Sequence, residues 1–109
     1  MSRPTRTLFP GTQQRAQALG ERLKAARTRR RITETEMATR VLVSRPTIRK
    51  LEAGDLNVSL AVLVQVLEVL GLDSDIDLIA GADELGRRLA DARLPRPRRP
   101  DEPSLADEL

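Results

Sequence analysis

Apolar residues return at intervals of three and four along much of this chain, the spacing of one face of an α-helix. Ala16, Leu19, Leu23 and Ala26 form the first such stripe, in a helix that opens at Thr12 and closes in the run Arg27-Thr28-Arg29-Arg30-Arg31. Positive charge at that end suits the negative pole of the helix dipole. Thr33-Glu34-Thr35-Glu36 then has the form of a capping box. The Thr33 hydroxyl can accept from the Glu36 amide while the Glu36 carboxylate reaches back to the Thr33 amide. A short helix burying Met37, Ala38 and Val41 should follow, with Leu42-Val43 as the turn beyond it. Ser44 can cap a third helix, and Pro46 falls in its first turn, where a missing N–H costs nothing. That helix turns Ile48 and Leu51 inward and stops at Gly54, a residue suited to the left-handed backbone after a helix end.

Ser59 caps a fourth helix, Leu60–Leu70, closed by Gly71. Its sequence is apolar on nearly every side, the mark of a helix buried all round. One side should meet the core. The other would meet a second copy of the chain, through Val62, Val66, Val69 and Ile76, or a flap of the same chain. Residues 73–80 are acidic, with Ile76, Leu78 and Ile79 among them, and read as a brief helix or a strand. Residues 83–94 read as a weak helix with Leu85 and Leu89 on one side. Pro95, Pro97, Pro100 and Pro103 exclude regular helix beyond it, so 95–109 should be a flexible tail, as residues 1–11 should be a flexible arm. The division expected is therefore an arm at 1–11, a helical domain at 12–80 and a weak helix with a Pro/Arg-rich tail at 81–109.

Composition supports an all-α fold. Phe9 is the single aromatic, so the core must be built from Leu, Val, Ile and Ala, which favours packed helices over a sandwich or barrel. The absence of cysteine excludes disulfides and thiolate metal sites. The absence of histidine removes the usual general base and the commonest transition-metal ligand. Asp73, Asp75 and Asp77 hint at a calcium loop, but the glycine and terminal glutamate such a loop requires are missing. No enzyme, no metal and no cofactor is expected. With no run of roughly 20 apolar residues and no signal-like N-terminus, the expected location is the cytoplasm or nucleoid.

Charge changes the picture more. The net charge is only +3, yet residues 1–50 carry 13 basic side chains against 3 acidic, and residues 51–86 carry 8 acids and no base. Residues 87–100 return to 6 bases against 1 acid, and 101–109 hold 4 acids. A chain divided in this way can turn one face to a polyanion and another to something else. Seventeen of the nineteen bases are arginine, the side chain suited to bidentate contact with phosphate and guanine. Two short capped helices joined by a three- to four-residue turn form a helix-turn-helix. Its second helix enters the DNA major groove with N-terminal residues facing base edges. Here that helix begins Ser44-Arg45-Pro46-Thr47 and continues Arg49-Lys50, a basic face opposite Ile48 and Leu51.

Residues 32–54 resemble the Xre/Cro-repressor motif, whose pattern runs Thr-Gln-x-x-Leu-Ala, Gly-Val-Ser and Ile-Ser-x-Leu-Glu-x-Gly; with flanking helices the likeness covers about residues 15–72. The resemblance implies a small five-helix, lambda-repressor-like DNA-binding domain with its motif at 33–54, forming a homodimer on a palindromic operator. It implies that Arg45, Pro46, Thr47, Arg49 and Lys50 line the groove, and that Thr33 and Ser44 head helices whose amides can meet phosphates. It places Arg27 and Glu52 as an internal ion pair. Three positions depart from the pattern. Glu34 stands where the family has Gln, and a carboxylate there repels phosphate. Leu42 replaces a turn glycine and would be strained if the backbone is left-handed. Arg31 also replaces a frequent glycine. More narrowly, residues 52–60, the ending Leu70-Gly71-Leu72 and the stretch 86–95 resemble HipB-type antitoxins. Those repress their own operon and hold a HipA-like kinase toxin in check. On that likeness Leu89 and Leu94 belong to a partner surface. The alternative is a protein-interaction module of the same fold with weak or lost DNA binding.

Overall fold

The computed structural model describes residues 9–93, and within them every regular element is helical. The order is α1 (Thr12–Arg29), α2 (Glu34–Val41), α3 (Arg45–Glu52), α4 (Leu60–Leu70), a 3₁₀ segment (Asp73–Leu78) and α5 (Glu84–Arg93). The segment left open between helix and strand at 73–80 is thus helical. Two compact units meet in the sequence between Ile79 and Ala80. The first holds α1 to α4 and the 3₁₀ segment; the second holds α5.

Each short helix begins where a side chain satisfies an amide the helix cannot. Thr33 Oγ1 accepts from the Glu36 amide at 3.0 Å, Ser44 Oγ from the Thr47 amide at 3.3 Å and Ser59 Oγ from the Val62 amide at 3.3 Å. Such a cap contributes about 1 kcal/mol, which matters for helices of 8 residues like α2 and α3. Only half of the expected capping box forms, because the Glu36 carboxylate makes no return bond to the Thr33 amide. The helices end on left-handed residues: α4 on Gly71 (φ 73°), α2 on Leu42 (φ 58°), and α1 just before Arg31 (φ 57°). Behind Leu42 the Val43 amide donates to Ala38 O at 3.0 Å, and behind Arg31 the Ile32 amide donates to Arg27 O at 3.2 Å. Both are Schellman closures that would ordinarily place glycine at the left-handed position.

The core of the first unit is aliphatic. Leu23 and Ala26 of α1 meet Met37, Ala38 and Val41 of α2, with Ile48 and Leu51 of α3 and Val66, Leu67 and Leu70 of α4. Met37 and Ile48 are 0% exposed. Full burial of a side chain of this size is worth about 1.5–3 kcal/mol, so this layer fixes how α2 and α3 are mounted. Two glycines set the spacing of α1 against the end of α3. A Cβ on Gly20 would run into the Glu52 carbonyl, and one on Gly54 (φ 83°) would come within 2.6 Å of the Gln17 amide nitrogen. Gln13 Nε2 closes the same junction with a 3.0 Å bond to Gly54 O.

One expectation needs correction. Val62 and Val66 do not line a seam between copies: they are 9% and 3% exposed, their surface already consumed inside this chain's own core. With 3.6 residues per turn, α4 cannot bury both faces against one small bundle, and these valines fall on the inward one. Val69 and Ile76 are half-buried at the core's edge. From α4 onward in this unit the large apolar side chains left outside are Leu60 at the start of α4 and, in the 3₁₀ segment and after it, Leu78 and Ile79. In the second unit, Asp83 Oδ1 accepts from the Gly86 amide at 3.0 Å and heads α5. No residue of α5 is buried, and Leu85 and Leu89 are both exposed.

Candidate nucleic-acid interface

The arrangement of α2 and α3 follows from what anchors them. Ile48 and Leu51 hold α3 by its inner side, and Met37, Ala38 and Val41 hold α2. Both helices are further fixed by the end of α1. Arg27 donates from Nε to Glu52 Oε2 at 2.7 Å and from Nη2 to Glu52 Oε1 at 2.9 Å, a fork meeting a carboxylate across its full width. Nη1 of the same residue donates to Ile32 O at 2.8 Å. Both side chains are 7% exposed, and no buried side-chain polar atom among the described residues lacks a partner. The Glu52 hydrogen bond raises the Arg27 pKa above its ordinary value, outweighing the opposing effect of burial. The guanidinium therefore stays charged and locks the last turn of α3 to the last turn of α1.

With its inner side fixed, α3 leaves Arg45, Pro46, Arg49 and Lys50 exposed and Thr47 half-buried. Arg45 and Arg49 are one helical turn apart and share a face. Ser44 and Thr33 sit at the heads of α3 and α2, each with its hydroxyl occupied in capping. Ser44 Oγ also lies 2.8 Å from Thr47 Oγ1, which ties the Thr47 side chain to the head of its own helix. The seven residues read from the sequence as a groove surface thus occupy the outer side of α3 and the two helix heads. Of the tail residues read as a partner surface, Leu89 is exposed on α5, and Leu94 lies outside the described residues.

Glu34 does something the sequence reading did not foresee. Its Oε2 accepts from Arg49 Nε at 2.8 Å and, at longer range, from Arg45 Nε at 3.4 Å. A carboxylate at the first position of α2 thereby sits between the two arginines of α3. The Arg49 hydrogen bond, reinforced by Arg45, holds its carboxyl below the ordinary value against an opposing desolvation effect. Both arginine side chains remain more than half exposed. Among the described residues neither makes another hydrogen bond, so the Nη1 and Nη2 atoms of both forks stay open. The reading of Glu34 as a bare repulsive charge considered position 34 alone. The signal it passed over was the two arginines 11 and 15 residues on, which the turn after α2 brings back to the head of that helix.

The sequence reading also passed over the loop after α3. Asp55 Oδ1 accepts from the Asn57 amide at 2.8 Å, an Asx turn that the spacing Asp-x-Asn could have announced. This turn borders a cleft of about 220 Å³ lined also by Thr47 and Lys50.

Among the described residues no group of acidic side chains is placed to hold a metal ion, and no helix is long and apolar enough to cross a membrane. A family model described as a helix-turn-helix domain matches residues 18–78, more than half of the chain. No curated protein and no solved structure matches the sequence.

Proposed function

Because this chain belongs to the helix-turn-helix domain family, we propose that it is a sequence-specific DNA-binding transcription regulator that lays α3 in the major groove. The observation that carries this reading is the two-sidedness of α3: Ile48 and Leu51 are buried while Arg45, Arg49 and Lys50 stand outside. A helix mounted in that way presents its basic side as a rigid unit, as groove recognition requires. In this reading Arg45, Pro46, Thr47, Arg49 and Lys50 face the groove, and Thr33 and Ser44 bring the heads of α2 and α3 to phosphates on either side. In vitro selection from a random duplex pool tests it directly. The expected result is one enriched site. Arg45→Ala should weaken that site by about 1–3 kcal/mol if Arg45 reads a base. Equal loss on scrambled DNA would make Arg45 a phosphate contact, and recovery of no site at all would sink the reading.

A finer reading is that the protein is a homodimeric, cytoplasmic, HipB-like antitoxin that represses its own operon and neutralises a HipA-like kinase. It is supported by the resemblance in 52–60 and 86–95, and by Leu85 and Leu89 lying exposed on α5. With Val62 and Val66 withdrawn into the core, Val69, Ile76 and the exposed Leu78 and Ile79 are left as the apolar groups of this region for a two-fold contact. Two-fold binding requires half-sites about one helical turn apart in the selected DNA. Pull-down of the neighbouring gene's product with full-length protein, but not with a version ending at residue 86, would support the partner role. Equal capture by both would remove the α5 surface from it.

A further inference from the structure

Glu34 is an acidic side chain set between Arg45 and Arg49 of α3, and it bonds both arginines through their Nε atoms. An arginine has two distinct hydrogen-bonding edges. The edge that includes Nε is taken here by the carboxylate. The end formed by Nη1 and Nη2 can meet the O6 and N7 of a guanine side by side, and in Arg45 and Arg49 it is open among the described residues. The Glu34 backbone is fixed at the first turn of α2, behind the Thr33 cap and ahead of the buried Met37. Its carboxylate is therefore an anchored strut, whereas Arg45 and Arg49 are long chains that would otherwise sample many rotamers. The same charge offsets one of the two positive charges on this face and faces any phosphate that approaches it.

We propose that Glu34 is a specificity-determining positioning residue, holding Arg45 and Arg49 with their outer ends toward base edges and lowering their attraction to DNA backbone. The inference rests on the groove-binding reading of α3. Two physical effects add up in one direction. Ordering a long side chain before binding removes a cost that would otherwise be met on the operator. Offsetting a charge weakens the sequence-independent attraction, which is set by the number of phosphates neutralised. Specific binding gains from the first, and non-specific binding loses from the second.

The test compares affinities for the selected site and for scrambled duplex across a salt series, using full-length wild type, Glu34→Gln and Glu34→Asp. A thermal melt of each checks that it is folded. Glu34→Gln should tighten scrambled-DNA binding about five-fold at 0.15 M salt and steepen its salt slope by about 0.9, the worth of one phosphate contact. It should also lower the ratio of specific to non-specific affinity by roughly two- to ten-fold, as the neutral amide oxygen holds the arginines less firmly than the carboxylate does. Glu34→Asp, which keeps the charge but withdraws it by one methylene, should lower that ratio too. In an Arg49→Lys background Glu34→Gln should change the ratio less, because the fork it orients is gone. A ratio equal to wild type in both Glu34 variants would overturn the inference while leaving the groove reading intact. A wild type that prefers no site over scrambled DNA would instead remove the groove reading, and this inference with it.

Discussion

Leu42 carries a bulky side chain through a backbone conformation (φ 58°, ψ 44°) that L-residues, unlike achiral glycine, avoid at a cost of about 1–2 kcal/mol. The side chain is 90% exposed, so almost no burial offsets that cost. Leu42→Gly should therefore stabilise the fold by about 0.5–1 kcal/mol after the extra backbone entropy of glycine is counted. A rise in melting temperature of a few degrees is the readout; an unchanged or lower value would mean that Leu42 makes a contact outweighing its strain. Glu34 offers a second residue-scale prediction, in pH. Its folded pKa is depressed, so the stability it contributes is fully present above the ordinary glutamate range and is lost as pH falls through the lowered value. Urea unfolding of wild type and Glu34→Gln should show a difference near neutral pH that shrinks on acidification. A difference independent of pH would contradict the assignment.

At the scale of elements, the junction between α1 and α3 carries the most consequence. Glu52→Ala would leave the Arg27 guanidinium buried with only the Ile32 carbonyl to meet it, which costs about 3–5 kcal/mol. Replacing both partners with apolar residues, as in Arg27→Met with Glu52→Leu, should cost far less, because no unpaired charge remains. Denaturant midpoints of the single and double variants separate the two cases; a double variant as unstable as the single would show that the pair holds more than itself. This ion pair was legible only by resemblance, since nothing in the periodicity links positions 27 and 52. The capped starts of α2, α3 and α4 were legible because a cap and the amide it satisfies lie within one turn. Gly20 was not: its role depends on which carbonyl of α3 comes to lie above it, and that is decided by long-range packing. The same reason explains the Val62 and Val66 correction. A helix apolar all round shows in its sequence that it is covered, but which face meets its own core depends on where α2 ends up. It explains Glu34 as well, whose partners lie on the next helix.

For the molecule as a whole, the uneven charge along the chain resolves into a division by element. The bases of α3 stand outside, while the stretch from Glu52 through the 3₁₀ segment has acidic side chains and no basic one. A polyanion should be drawn to the exposed bases of α3, and raising salt should weaken that attraction by screening it beyond a Debye length of about 8–10 Å. Beneath that surface lies a thioether that water does not reach. Met37 is 0% exposed, and peroxide converts a methionine to its sulfoxide only where it can touch the sulfur. In the closed fold Met37 should therefore resist oxidation and react only in molecules that have momentarily opened. When reclosing is fast, the rate follows the open population, so each kcal/mol of added stability should slow it about five-fold. Mass spectrometry of the peptide containing Met37 would follow the reaction, with Leu42→Gly slower than wild type; oxidation as fast as in urea-unfolded protein would show the core to be leaky. The reaction also runs one way without a reductase. A sulfoxide is too polar for the space the thioether fills, so each opening caught by peroxide leaves a chain that cannot close again, and oxidative damage would accumulate as a count of past openings.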